Sequence, residues 1–168
     1  MTSNNIAKLS VDAGNPVGAM RKLHGTSGIP APAPGTDSVP DILDVWKSAQ
    51  VTFVRSYDWV SRLDTVDNPT SLFPDWSADP SDPASYNFEA TDTWVRQTRS
   101  LGADILFTIA SEIPGNKKPV QDLEKYEQVV EHIVRHYTCG WGDGFENAVT
   151  HWEFGDQPDF GTLHFSGS

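Results

Sequence analysis

The feature that most constrains this chain is an alternation of short β-branched and aromatic runs with longer stretches of helical periodicity. Val51-Thr-Phe-Val-Arg55 and Ile105-Leu-Phe-Thr-Ile109 read as strands. Ala148 to Phe154 is a third, and Val17 to His24 is a candidate upstream of them. From Val120 to Tyr137, Leu123, Tyr126, Val129, Val130, Ile133, Val134 and Tyr137 recur at intervals of three and four. That spacing draws one apolar stripe opposite Gln121, Glu124, Lys125, Glu127 and Glu131, which predicts an amphipathic helix entered at Pro119 and stopped at Gly140. A second helix is predicted over Ala90–Leu101, with Trp94, Val95, Thr98 and Leu101 inward and Gly102 as its cap. A shorter one over Pro40–Ala49 carries Ile42, Leu43, Val45 and Trp46. Strand and helix thus take turns along the chain, the signature of a parallel sheet wrapped by helices; the predicted class is α/β.

The 168 residues suit a single domain, 1–168, with an extended N-terminal segment over 1–16. Gly28 to Pro40 holds Pro30, Pro32, Pro34 and Pro40 and cannot be regular structure. A long segment over 57–89 carries Pro69, Pro74, Pro80 and Pro83 and has no periodicity. It also carries Trp59, Phe73, Trp76, Tyr86 and Phe88, so it is expected to pack. It follows a strand, and in parallel α/β folds the loops after strands build the active face.

A net charge of -11 and a pI near 4.6 argue against nucleic acid or anionic membrane as the main partner, since both would repel the chain. Met1 to Ser10 has no apolar run of the secretory kind, so a cytoplasmic location is expected. The lone Cys139 cannot form an intrachain disulfide and reads as an ordinary small apolar residue. Asn68 is followed by Pro69 and is no glycosylation acceptor. No Gly-rich phosphate loop, nucleophile elbow or Cys-x-x-Cys pair is present, and no cofactor is expected. His132 and His136 stand one helical turn apart, a spacing that can share zinc, but without a third ligand a packing role is expected. His151 and Glu153 share a strand face and read the same way; no metal site is assigned. The acidic run from Asp58 to Asp92 lacks the regular spacing of a calcium loop and reads as a solvated face.

The densest functional signal is Trp152-Glu-Phe-Gly-Asp-Gln-Pro-Asp159. It resembles the Trp-Glu-x-Trp-Asn-Glu-Pro-Asp motif that ends the fourth strand in glycoside hydrolase family thirty-nine, the β-xylosidase and α-iduronidase group. Val51-Thr-Phe-Val-Arg-Ser-Tyr-Asp-Trp59 resembles that family's second-strand motif, in which Arg precedes His. Leu72-Phe-Pro-Asp-Trp76, Tyr86-Asn-Phe88 and Val129 to Tyr137 look like its loop and third helix. The resemblance spans most of residues 17–168 and implies a (β/α)4 half of a TIM-type barrel. It implies retaining hydrolysis as the family's reaction, which uses two carboxyl groups about 5 Å apart. By resemblance the acid/base position falls on Gln157, the sugar-contacting Asn on Asp156, a Trp on Gly155, and the His after the strand-two Arg on Tyr57. The nucleophile belongs to strand seven, beyond the last strand seen here.

These departures carry chemical meaning. A carboxamide has no proton to give, so Gln157 cannot be a general acid, although it can hydrogen-bond a sugar hydroxyl. Glu153, Asp156 and Asp159 cluster at the same strand end, and Asp58 ends strand two. A pair of these could serve acid/base chemistry on another small molecule, or Glu153 and Asp58 are hydrogen-bonded structural groups of the barrel mouth. Arg55, Tyr57, Asp58, Glu153, Asp156 and Gln157 are the expected site lining, with Trp59 and Trp76 offering aromatic faces to a sugar ring. Four strands cannot close a barrel, so pairing of two chains, or a complementary half-barrel chain, is expected to cover the edges. Three functions follow: a carbohydrate-active half barrel, a non-glycosidase acid/base enzyme at the same mouth, and a structural remnant.

Overall fold

The computed structural model describes residues 24–35, 37–56, 71–109 and 122–154, with Ser10, Asp12, Gly14, Asn15 and Gly18 upstream. Its strands are β1 (Gly25–Ser27), β2 (Phe53–Arg55), β3 (Asp104–Ile109) and β4 (His151–Phe154). Its helices are α1 (Leu43–Ser48), α2 (Glu89–Ser100) and α3 (Leu123–Cys139), with one 3-10 turn over Pro83–Ser85. The strands form one parallel sheet in the order β1-β2-β3-β4. Each strand is laid beside the one before it, the sequential parallel arrangement of a (β/α) barrel wall.

The registers Gly25↔Phe53, Arg55↔Leu106, Leu106↔His151 and Thr108↔Glu153 settle which side chains share a face. One face takes Val54, Ile105, Phe107 and Ile109, all 3% exposed or less, with Trp152 and Phe154 at its β4 edge. The helices cover this face. From α2 come Trp94 and Val95, and from α3 Val129, Ile133 and Tyr137, all fully buried. Truncating any of the large ones to Ala would cost roughly 2–5 kcal/mol. The other face carries Phe53, Arg55, Asp104, Leu106, Thr108, His151 and Glu153, and no element covers it among the described residues.

Element ends follow local chemistry. The Asp122 carboxylate accepts the Lys125 N–H at the start of α3, and Gly140 closes the helix in the left-handed region at φ 70°. The expected entry at Pro119 lies outside the described residues. Leu123 departs from the expected stripe: it is 70% exposed at the first residue of α3. The first strand is Gly25–Ser27, not Val17–His24, of which only Gly18 and His24 are described and neither is in a strand. Gly-Thr-Ser has no apolar signal of its own, and pairing with Phe53–Arg55 creates the strand. α1 begins three residues after Pro40, where the Asp41 side chain accepts the Leu43 N–H. Val45 on it is 62% exposed, whereas Trp46 packs on the core.

Two features lock the helical layer. Asp92 on α2 accepts from Tyr137 Oη at 3.1 Å and lies 3.0 Å from His136 Nε2, while His136 Nδ1 donates to the Trp141 carbonyl at 2.8 Å. Phe88 stacks on that imidazole with ring centroids 3.6 Å apart. Burial and the Asp92 carboxylate push the Tyr137 phenol well above its ordinary pKa. His136 therefore packs, as its place beside the stripe predicts. The second feature is the part of the 57–89 segment that the structure describes. It packs along α3: Phe73 meets Trp76, Tyr86 meets Phe88, and Lys125 Nζ donates to the Ala78 carbonyl at 2.7 Å. Asp75, Asp79 and Asp82 each accept the N–H two residues ahead, closing Asx turns that hold this proline-rich stretch in place. No described helix is long and apolar enough to cross a membrane.

Candidate functional site on the open sheet face

The uncovered face gathers its charge at the C-terminal end of the sheet. Arg55 leaves β2 and Glu153 leaves β4, and the two meet across β3. The guanidinium donates side-on, Nε to Glu153 Oε2 at 2.5 Å and Nη2 to Oε1 at 3.0 Å. This bidentate fork matches two planar groups and is stronger than a neutral hydrogen bond. The Thr108 hydroxyl adds a third donor, 2.8 Å from Glu153 Oε2. The Arg55 hydrogen bonds are the main reason the Glu153 carboxyl is held below the usual carboxylate range, with Thr108 adding to it and partial burial opposing. An ionised, three-fold hydrogen-bonded carboxylate is a poor proton donor near neutrality and a good buttress for a cation.

Ser56 sets the strand end beneath this pair. Its amide donates to the Leu106 carbonyl at 2.9 Å, continuing the ladder, and its Oγ accepts the Thr108 amide at 2.8 Å. The side chain thus stands where the next backbone carbonyl of a strand would be. Further down the same face, His151 meets Phe53 edge-on at 5.7 Å, and its Nδ1 is 2.9 Å from Thr150 Oγ1. Glu153 has both oxygens committed to Arg55, and among the described residues no group of three or more His, Cys, Asp or Glu side chains could hold a metal ion.

Of the residues singled out in the sequence, Arg55 and Glu153 are brought together. Trp76 is not brought to them: it packs against Phe73 and Tyr126, and Tyr126 meets Phe154, which belongs to the helix-covered face. Tyr57, Asp58, Trp59, Asp156, Gln157 and Asp159 lie outside the described residues. Cys139 is exposed at the end of α3, in the helical layer. Sequence reasoning missed Thr108 and Ser56. The signal for Thr108 was present, since a hydroxyl interrupts the apolar run Ile105-Leu-Phe-Thr-Ile109 in the phase that faces away from the helices.

No protein-family model and no curated protein match the chain. A solved structure does: the crystal structure of a glucosidase from Croceicoccus marinus is similar at 85% sequence identity with a TM-score of 0.83. The match covers 99% of this chain and 35% of that one, so the chain spans about a third of the glucosidase's length. Over nearly its whole length, this parallel α/β unit is therefore similar to one portion of a glucosidase.

Proposed function

We propose that the chain is the sugar-facing wall of a glucosidase-type (β/α) barrel, with its site at the C-terminal end of the open face. The 85% identity with a glucosidase carries the reading, and the Arg55–Glu153–Thr108 cluster on the uncovered face agrees with it. Arg55 offers hydrogen bonds to sugar oxygens, and Glu153 buttresses Arg55 rather than donating a proton. The family thirty-nine motifs assign the acid/base position to Gln157, which can hold a hydroxyl but not protonate a leaving group. Cleavage therefore needs further βα units, from a longer chain or a second one, and suffers from the missing acid even then. Absence of acid assistance alone costs on the order of 10²–10⁴-fold. The rival use of mouth carboxylates for general acid/base chemistry loses Glu153, because Arg55 holds it ionised.

Aryl β-glucosides with acidic leaving groups need little proton donation and test this reading. The 168-residue chain alone is expected to bind D-glucose yet release no aryl alcohol, and Gln157→Glu is expected to leave that unchanged unless the remaining βα units are added. Turnover by the unmodified chain alone would contradict the proposal.

A further inference from the structure

We propose that His136 stands as an imidazolium in the folded chain, and that its buried pair with Asp92 is a proton-dependent lock on the α2–α3 seam. The lock lies in the helical layer, away from the open face, and does not rest on the sugar reading. It follows from a count of protons. The Trp141 carbonyl, 2.8 Å from His136 Nδ1, can only accept, so Nδ1 carries a proton. Across the ring, Nε2 lies 3.0 Å from Asp92 Oδ1. A bare Nε2 there would set its lone pair against a carboxylate oxygen, so this contact holds a second proton. Three neighbours assign that proton to the ring. Tyr137 Oη donates to the same Oδ1 at 3.1 Å, and Arg96 Nη2 donates to Oδ2 at 3.3 Å, donors suited to an ionised carboxylate. Phe88 lies flat on the imidazole, the two planes 8° apart, and offers the negative face of its ring to a cation.

The charged and titratable groups around the ring come from the two helices. α2 brings Asp92 and Arg96; α3 brings Tyr137 and, one turn earlier, His132, which leans on the Trp141 ring. The segment entering α2 brings Phe88, and the turn after α3 brings the Trp141 carbonyl and the Phe145 ring. His136 is 1% exposed and Asp92 8%, so neither charge can turn to water. Loss of the ring proton leaves a buried carboxylate facing a lone pair, a strongly unfavourable state. One imidazole ties α2, α3 and the turn at Trp141, so its deprotonation loosens all three together. The sign is fixed by linkage. In an unfolded chain a free imidazole gives up its proton above about pH 6.5, whereas the folded cluster keeps it. The folded chain then holds one proton more, and stability falls as the pH rises past that point. Between about 3.9 and 6.5, the reference values of Asp and His, the pair holds the same protons folded or unfolded and adds no pH dependence.

Nitrogen NMR of the imidazole rings in the isotope-labelled chain tests the assignment at about pH 7.5, where a free imidazole is about nine-tenths neutral. Both His136 nitrogens should carry protons there, and one bare nitrogen on that ring would overturn the proposal. The lock has its own readout in urea denaturation. Relative to His136→Gln, the unfolding equilibrium constant of the wild type should rise about tenfold per pH unit above about 6.5, while the folded ring keeps its proton. A ratio that stays constant from about pH 6.5 to about 8.5 would contradict the lock. Should the Gln variant fail to fold, the nitrogen spectrum of the wild type decides.

Discussion

Arg55 and Glu153 lie 98 residues apart in sequence and meet because a parallel sheet puts alternate residues of successive strands on one face. The pair has a pH signature with a definite sign. The folded-state pKa of Glu153 is depressed, chiefly by Arg55, so its contribution to stability is fully present above the usual glutamate value of about 4.3. That contribution is lost as pH falls through the lower, folded value. Glu153→Gln should therefore destabilise the chain by about 1 kcal/mol at pH 7, the size expected of a charged hydrogen bond discounted for partial solvent exposure. The difference from wild type in urea denaturation should shrink as the pH is lowered below about 4. A difference that is constant from pH 7 to acid would contradict the ion-pair assignment. The same residue illustrates what sequence alone reveals. Glu153 stands out within a motif as a carboxylate at a strand end, but its role depends on Arg55 and Thr108, whose proximity only the strand registers establish.

At the scale of elements, the α2–α3 contact depends on a few polar groups sealed inside an apolar layer. Asp92→Ala would leave Tyr137 Oη without its acceptor in a buried setting and remove the carboxylate beside His136 Nε2, at a cost of about 3 kcal/mol. Asp92→Asn keeps one acceptor oxygen and should cost less. Urea midpoints of the two variants measure this directly. The chain turns back after α3 against a similarly tight constraint. A Cβ on Gly144 would fall 2.1 Å from the His136 carbonyl oxygen, which accepts the Phe145 amide at 2.6 Å. Gly144→Ala should lower stability by about 3 kcal/mol through overpacking of backbone against backbone. The helices and the central strands were legible because periodicity marks them: Tyr126, Val129, Ile133 and Tyr137 are buried as their spacing predicts. β1 was not legible, because Gly25, Thr26 and Ser27 become a strand only beside β2. Leu123 misled for the opposite reason: its phase fits the stripe, but at the first residue of α3 it stays 70% exposed.

For the whole molecule, the strand order and the two unlike faces reflect one architecture. One face is dry and helix-covered; the other is partly polar and half open, with Phe53 and Leu106 only partly shielded. Both outer strands are short, three and four residues, which limits the backbone left without a strand partner among the described residues. At the β4 edge, Phe154 is 64% exposed beside Tyr126. Isolated as these 168 residues, the chain is expected to associate through such edges, and a single monomeric boundary in sedimentation velocity at micromolar concentration would contradict that expectation. In the proposed reading, the open face looks toward the interior of a larger barrel. Titrating D-glucose into the isotope-labelled chain tests that placement most directly. The proposed site predicts shifts concentrated at Arg55, Thr108 and Glu153, with the Asp92 and His136 signals unmoved. Glucose that perturbs no residue of the open face, or only the helical layer around Trp76, would contradict it.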